Sequence, residues 1–253
     1  MRKRFTKAFY AMSAAAVITA SFGASAGVAS AATSHPKDTV ACGSNCVSIF
    51  SDQLGSSVTM NAFVPGDTGV GGHTGTPVNL HLAGNFRPNG DFTPSISGFV
   101  FQFCGFLAND FFSPTSFICT HYPLFAVIEL NWSPFGNQSG WCAGVSRAVS
   151  GQNVTLQPCG VSARTVWVAD RIHSTLGTNC LIPTGQPVSP GDPSVNFCPL
   201  INGGDTNFSQ PLVLTLNTGT NRPSNQLQLY RELLVGSVAR SNQQWAYYFG
   251  PVT

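Results

Sequence analysis

Charge is scarce in this sequence: Lys, Arg, Asp and Glu make up 9% of its 253 residues. Such a chain has no basic face with which to neutralise a phosphate backbone, and a nucleic-acid-binding surface is excluded on that ground. Long apolar runs are missing too. Past residue 31 none reaches the roughly 18 residues that a membrane-spanning helix needs. Apolar stripes at helical spacing are likewise absent there, so sheet rather than helix is expected. The histidines, His35, His73, His81, His121 and His173, form no H-x-x-x-H or H-E-x-x-H pattern. No serine past residue 31 sits in a G-x-S-x-G turn. Neither a cofactor nor a metal is expected from these patterns.

The N-terminus is different in kind. Arg2, Lys3, Arg4 and Lys7 precede an Ala/Ser/Val-rich stretch, Ala8 to Val28, and Ala29-Ser30-Ala31 is a small-x-small cleavage site. This pattern predicts a bacterial Sec signal peptide over 1–31, cleaved after Ala31, and a secreted, extracellular product of residues 32–253 forming a single domain. Four of the twelve basic residues lie in that segment. Eight then remain against ten acidic ones, giving the exported part a net charge of −2.

All eight cysteines, Cys42, Cys46, Cys104, Cys119, Cys142, Cys159, Cys180 and Cys198, fall in the exported part. An even count in an exported chain favours disulfides. Pairing between sequence neighbours is the expectation: 42–46, 104–119, 142–159 and 180–198. Each of the last three would close a loop of roughly 15 to 20 residues, worth about 3 kcal/mol in the chain-entropy picture. The rival for Cys42 and Cys46 is zinc, but no second Cys or His pair stands at a matching spacing.

Three segments share a pattern: Pro77-Val78-Asn79-Leu80-His81, Asn153-Val154-Thr155-Leu156-Gln157 and Gln226-Leu227-Gln228-Leu229-Tyr230. Their alternation is that of a half-buried strand. Each follows another β-rich stretch (Val58 to Phe63, Cys142 to Ser146, Leu212 to Asn217) and precedes an aromatic: Phe92, Trp167 or Trp245. A strand–strand–aromatic unit cannot bury its apolar face alone, and three copies about an axis would bring those aromatics into one core. The spacing between copies, Val78 to Val154 to Leu227, is 76 and then 73 residues. That leaves two inserts, 93–140 and 171–209, which should hold each unit's fourth strand. Ala126 to Trp132 has strand character there, as does Phe99 to Phe103, and Leu200 to Asp205 reads as a strand entering a turn. The phenylalanines between Phe99 and Phe125 are expected to fill a core beneath the first insert, stapled by Cys104–Cys119.

Cys142-x-x-Val145, then Val154-Thr155-Leu156-Gln157-Pro158-Cys159 and Trp167, resembles the ricin B-type β-trefoil lectins, and Gln243-Gln244-Trp245 matches that family's Q-x-W signature. The resemblance implies an all-β trefoil of three strand-rich repeats, here with two inserts and disulfide staples, and a secreted carbohydrate-binding protein without catalytic activity. It also implies the partners: a polysaccharide or glycan. In such lectins an acid near the first strand, an aromatic after the Leu and an amide before the Trp hold the sugar. The middle repeat departs from this pattern, with Gly144, Gln157 and Arg164 at those places. The third repeat retains Gln228, Tyr230, Asn242 and Gln243, with Asn217 near the acid's place as an amide. The first offers Asn61, Asn79, His81 and Asn89. The alternative function is a secreted protein-binding or structural trefoil with degenerate sugar sites, such as a protease inhibitor presenting a loop within 183–199 to a secreted protein. An enzyme would need a carboxylate pair, and Glu129 with Asp91 or Asp110 has no spacing that singles it out. N-terminal sequencing of protein recovered from culture medium is expected to begin at Ala32; intact Met1 there would refute the processing.

Overall fold

A computed structural model of the chain describes residues 47–62, 71–82, 92–95, 127–134, 137–177, 188–205, 207, 209–217 and 226–249. Fourteen strands lie among them: β1 Val47–Ser51, β2 Val58–Ala62, β3 Val78–Leu82, β4 Phe92–Ser95, β5 Val127–Trp132, β6 Trp141–Gly144, β7 Thr155–Pro158, β8 Val166–Ala169, β9 Leu200–Asn202, β10 Leu212–Leu216, β11 Leu227–Arg231, β12 Leu234–Val235, β13 Val238–Ala239 and β14 Trp245–Phe249. Among the described residues there is no α-helix, and hence none long and apolar enough to cross a membrane. The only helical pieces described there are short 3-10 turns such as Ala163–Thr165 and Ser241–Gln243.

The pairing makes a closed barrel. β1 pairs with β4, β4 with β5, β5 with β8 and β8 with β9, all antiparallel. A bridge between Cys198 and Trp245 joins the approach to β9 with β14, and β14 pairs along its length with β1. The remaining hairpins, β2–β3, β6–β7 and β10–β11, form the cap. They are stitched to one another by bridges Pro77–Thr155, Asn79–Gln226 and Asn153–Gln228. A six-stranded barrel closed by three hairpins is a β-trefoil. Closure leaves no unpaired edge in the barrel, which is how an all-β chain avoids exposing a row of free backbone groups.

The register shows the repeats to be equivalent. Leu80, Leu156 and Leu229 of the shared pattern stand opposite Met60, Ala143 and Leu214. All six, together with Phe92, Trp167 and Trp245, belong to one buried cluster. The Trp167 indole N–H donates to the Ala143 carbonyl at 2.8 Å, and that of Trp245 to Leu214 at 2.9 Å. The same atom of the same unit is reached twice, so a tryptophan is held by both burial and a hydrogen bond. Phe92 fills the third place without a donor. The inserts supply the missing barrel strands, β5 from the first and β9 from the second.

The second insert also covers the outside of the barrel. Val188, Val195 and Phe197 pack on Phe50 of β1 and Ala246 of β14, with the Phe50 and Phe197 rings edge to face at 6.0 Å. Trp245 lies 18 residues past Leu227, whereas Trp167 lies 13 past Val154. The surplus is the β12–β13 hairpin, turned by Gly236 at φ 66 and Ser237, a two-residue loop of the kind that requires positive φ.

Cys142 and Cys159 form a disulfide, S–S 2.06 Å, across the β6–β7 hairpin. Cys198 is also disulfide-bonded. Cys42, Cys46, Cys104, Cys119 and Cys180 lie outside the described residues, as do Phe99 to Phe125 and the strand expected at Phe99 to Phe103. Glu129, expected to be as much a surface position as anything else, is 1% exposed on β5. Its Oε1 accepts from the Gly160 amide at 2.9 Å and from Thr165 Oγ1 at 2.7 Å, which ties the β7–β8 turn to the barrel.

Trp245→Phe keeps an aromatic ring and removes the donor to Leu214. It is expected to lower unfolding stability by roughly 1–3 kcal/mol in urea titrations, with the far-UV spectrum unchanged.

Candidate functional site

The equivalence of the repeats permits a position-by-position comparison of three surfaces. Counting from the Leu pairs, Gly144 of β6 is level with Thr215 of β10 and Asn61 of β2. Gln157, Tyr230 and His81 share the place after the Leu. Arg164 and Asn242 share the place three residues before the tryptophan, each inside a 3-10 turn. Thr215, not Asn217, therefore holds the place that the resemblance gives to an acid. Asn217 lies two residues on, level with Ser146.

In the third repeat these residues surround a cavity of about 280 Å3, lined by Ser150, Thr215, Leu216, Asn217, Tyr230, Arg231, Leu233, Asn242 and Gln243. Four of the five residues nominated from sequence, Asn217, Tyr230, Asn242 and Gln243, are on its wall. The fifth, Gln228, stands behind it: its Oε1 accepts from Asn217 Nδ2 at 2.7 Å and from the Tyr230 hydroxyl at 3.2 Å. Its own amide donates to Asn153 Oδ1 at 2.7 Å, in the neighbouring hairpin. One glutamine therefore sets the orientation of both a wall amide and the wall aromatic.

The amides before Trp245 divide their work. Gln243 is 1% exposed. Its Nε2 donates to Thr215 Oγ1 at 3.1 Å and to the Arg231 carbonyl at 3.0 Å, and its Oε1 accepts from the Leu233 amide at 2.8 Å. It builds the floor by joining β10 to the exit of β11. Asn242 is half-buried and donates to the Leu216 carbonyl at 3.1 Å. Arg231, Ser150 and Leu233 were not nominated from sequence. Arg231 reaches the wall because Asp205 holds its Nη1 at 2.6 Å and the Gln210 carbonyl accepts from it at 2.8 Å. That partnership spans 26 residues and leaves no local pattern.

In the middle repeat the same region is closed. Arg164, from the place of Asn242, donates through Nη1 to the Ser146 carbonyl, at the place of Asn217. Its Nε also donates to Ser162 Oγ at 3.0 Å. The guanidinium thus reaches across to the exit of β6, as the shorter Asn242 side chain reaches the Leu216 carbonyl at 3.1 Å in the third repeat. Gly144 lies beneath: a Cβ there would come within 2.9 Å of the Arg164 carbonyl and of Thr165 Cγ2. No acid fits at 144 without moving backbone. Gln157, level with Tyr230, folds back on Thr155 Oγ1 at 2.8 Å. In the first repeat Asn61 is buried, Asn79 and His81 are half-buried, and Asn89 lies outside the described residues.

A wall of amides, hydroxyls, one aromatic ring and the Asp205-paired guanidinium of Arg231 is suited to polyols: hydroxyls find donors and acceptors, and C–H faces find a π surface. Gln243→Ala leaves the Leu233 amide, the Arg231 carbonyl and Thr215 without their partner. It is expected to cost at least roughly 2 kcal/mol of folding stability and to raise hydrogen exchange at Leu233.

No protein-family model and no curated protein matches this chain. Solved structures that resemble it include ThreeFoil, a designed three-fold symmetric protein, at 11% identity over 81% of this chain and 98% of that one, TM-score 0.45. They also include the agglutinin from Abrus precatorius, at 12% identity over 80% of this chain and 48% of that one, TM-score 0.41. The SDF2-like protein from Arabidopsis thaliana is a third, at 10% identity, covering 81% of this chain and 92% of that one, TM-score 0.42. No property of these proteins transfers at such scores; the trefoil assignment stands on the strand pairing.

Proposed function

We propose that the chain is a secreted carbohydrate-binding protein of lectin type, acting without catalysis, with one sugar site in the third repeat. The observation that carries this reading is the coincidence of two facts. The residues at the sugar-contacting places of the ricin B-type pattern, Tyr230 and Asn242, line the same cavity, and Arg164 bridges the corresponding places in the middle repeat.

Within the site, Tyr230 offers its ring face to a pyranose, and Asn217 and Asn242 supply the hydroxyl partners. No carboxylate lines the cavity, and Arg231, its one charged lining residue, is held by Asp205, so the hydrogen bonds offered by the amides and hydroxyls are neutral and roughly half as strong as charge-assisted ones. Affinity for a single sugar is then weak, and repetition along a polysaccharide supplies the avidity. The protease-inhibitor alternative calls for a protruding loop in 183–199. In its described part Val188, Val195 and Phe197 pack on the barrel, and Ser189, Pro190, Gly191, Pro193 and Ser194 are exposed.

Tyr230→Ala is expected to reduce binding to immobilised polysaccharide at least tenfold without altering the urea midpoint by more than a small fraction of the wild-type value. Arg164→Ala, outside the site, should leave binding unchanged. A wild-type protein that binds no glycan or cell-wall polymer at millimolar concentration defeats the proposal.

A further inference from the structure

A cluster beside the sugar cavity, where Glu232 lies between the wall residues Arg231 and Leu233, brings three metal-ligating groups together. Asp170 follows β8, His173 is three residues on, and Glu232 follows β11. His173 Nδ1 stands 2.9 Å from Asp170 Oδ2 and 2.9 Å from Glu232 Oε2, and the three donor atoms all lie within 4.8 Å of one another. Asp170 is 1% exposed and Glu232 5%. Two carboxylates are thus withdrawn from water beside a single imidazole, an arrangement that is costly unless charge is compensated.

The hydrogen bonding does not provide that compensation. Nδ1 lies close to both oxygens, yet it makes no aligned hydrogen bond, and the buried Glu232 Oε1 has no hydrogen-bond partner at all. Burial is the main cause pushing the Glu232 carboxyl up to about 7; His173 opposes this and Asp170 adds to it. A protonated His173 would offset only one of the two carboxylates, and Glu232 Oε1 would still be buried without a partner.

We infer that Asp170, His173 and Glu232 form a binding site for a divalent transition-metal ion of the zinc class. The donor set is one imidazole nitrogen and two carboxylates, and an imidazole favours zinc over the oxygen-seeking Ca2+ and Mg2+. Tetrahedral ligands at about 2.0–2.2 Å from zinc stand roughly 3.4 Å apart, so the two 2.9 Å approaches need to open by only a few tenths of an ångström. The surroundings already fix the ligands. Asp170 Oδ1 accepts from the Ile172 amide at 2.8 Å, which orients its carboxylate. The His173 carbonyl accepts from the Ala239 amide at 3.0 Å and from Gln244 Nε2 at 2.8 Å. The Glu232 amide donates to the Pro211 carbonyl at 2.8 Å. The His173 side chain, 28% exposed, gives the ion a route from solvent. A bound ion would tie the exit of β8 to the exit of β11 and fix the base of the β12–β13 hairpin. The inference does not depend on sugar binding.

The test uses the purified full chain, stripped with EDTA and dialysed, then titrated calorimetrically with zinc chloride and separately with calcium chloride. One zinc equivalent is expected, tighter than calcium, with Tm rising on the order of 5 °C at a hundredfold excess over Kd and falling back on EDTA addition. Glu232→Gln, isosteric and uncharged, and His173→Ala should each weaken zinc binding at least tenfold; His73→Ala, an exposed histidine elsewhere, should not. Should His173→Ala fail to fold by circular dichroism, Glu232→Gln decides. Absence of stoichiometric zinc binding, tighter binding of calcium, or zinc binding untouched by Glu232→Gln overturns the inference.

Discussion

Barrel closure rests on Trp245. Its backbone exchanges hydrogen bonds of 2.9 Å with Cys198 in both directions, and it stands opposite Ser51 of the first strand. Its ring lies in the central cluster, and its indole N–H reaches the cap hairpin at Leu214. One residue therefore joins the last strand to the first, the last strand to β9, and the barrel to its cap. A barrel that fails to close has two open edges and an unfilled centre, so the pairing of every other strand depends on this junction. Trp167 repeats the indole bond one unit earlier, and the disulfide across β6–β7 holds the hairpin that receives it.

That shared frame explains why the repeats can diverge in function while remaining alike in fold. The frame needs only the paired apolar residues and the central aromatic. The polar positions between them face outward and are free to change. In the middle repeat Arg164 uses that freedom to bridge its own groove to Ser146, and Gly144 leaves room for the backbone beneath it. In the third, short amides at 217 and 242 leave the groove open, and Gln228 and Gln243 hold its walls from behind.

The asymmetric additions gather around the third unit. The β12–β13 hairpin presents Leu233, Leu234 and Val235 to solvent, at 42%, 45% and 67% exposure. It is anchored through Ala239 to His173 and through Leu233 to Gln243. The same hairpin thus borders the cavity on one side and the Asp170–His173–Glu232 cluster on the other. A cation held by that cluster would stiffen the frame of the cavity without touching its contents.

The sequence by itself determined the sheet, the triplication and the central aromatics. These follow from local alternation and from a pattern repeated three times, and both are legible one residue at a time. It also located part of the cavity wall, because Tyr230 and Asn242 sit at fixed offsets from Leu229 and Trp245. What only the tertiary structure decided are relations between residues far apart in the chain. Arg231 joins the wall through Asp205, Thr215 rather than Asn217 stands level with Gly144, Glu129 is buried against Thr165, and His173 meets Glu232. Each depends on which strands lie side by side and in what register. Chain closure sets that register; no local pattern carries it.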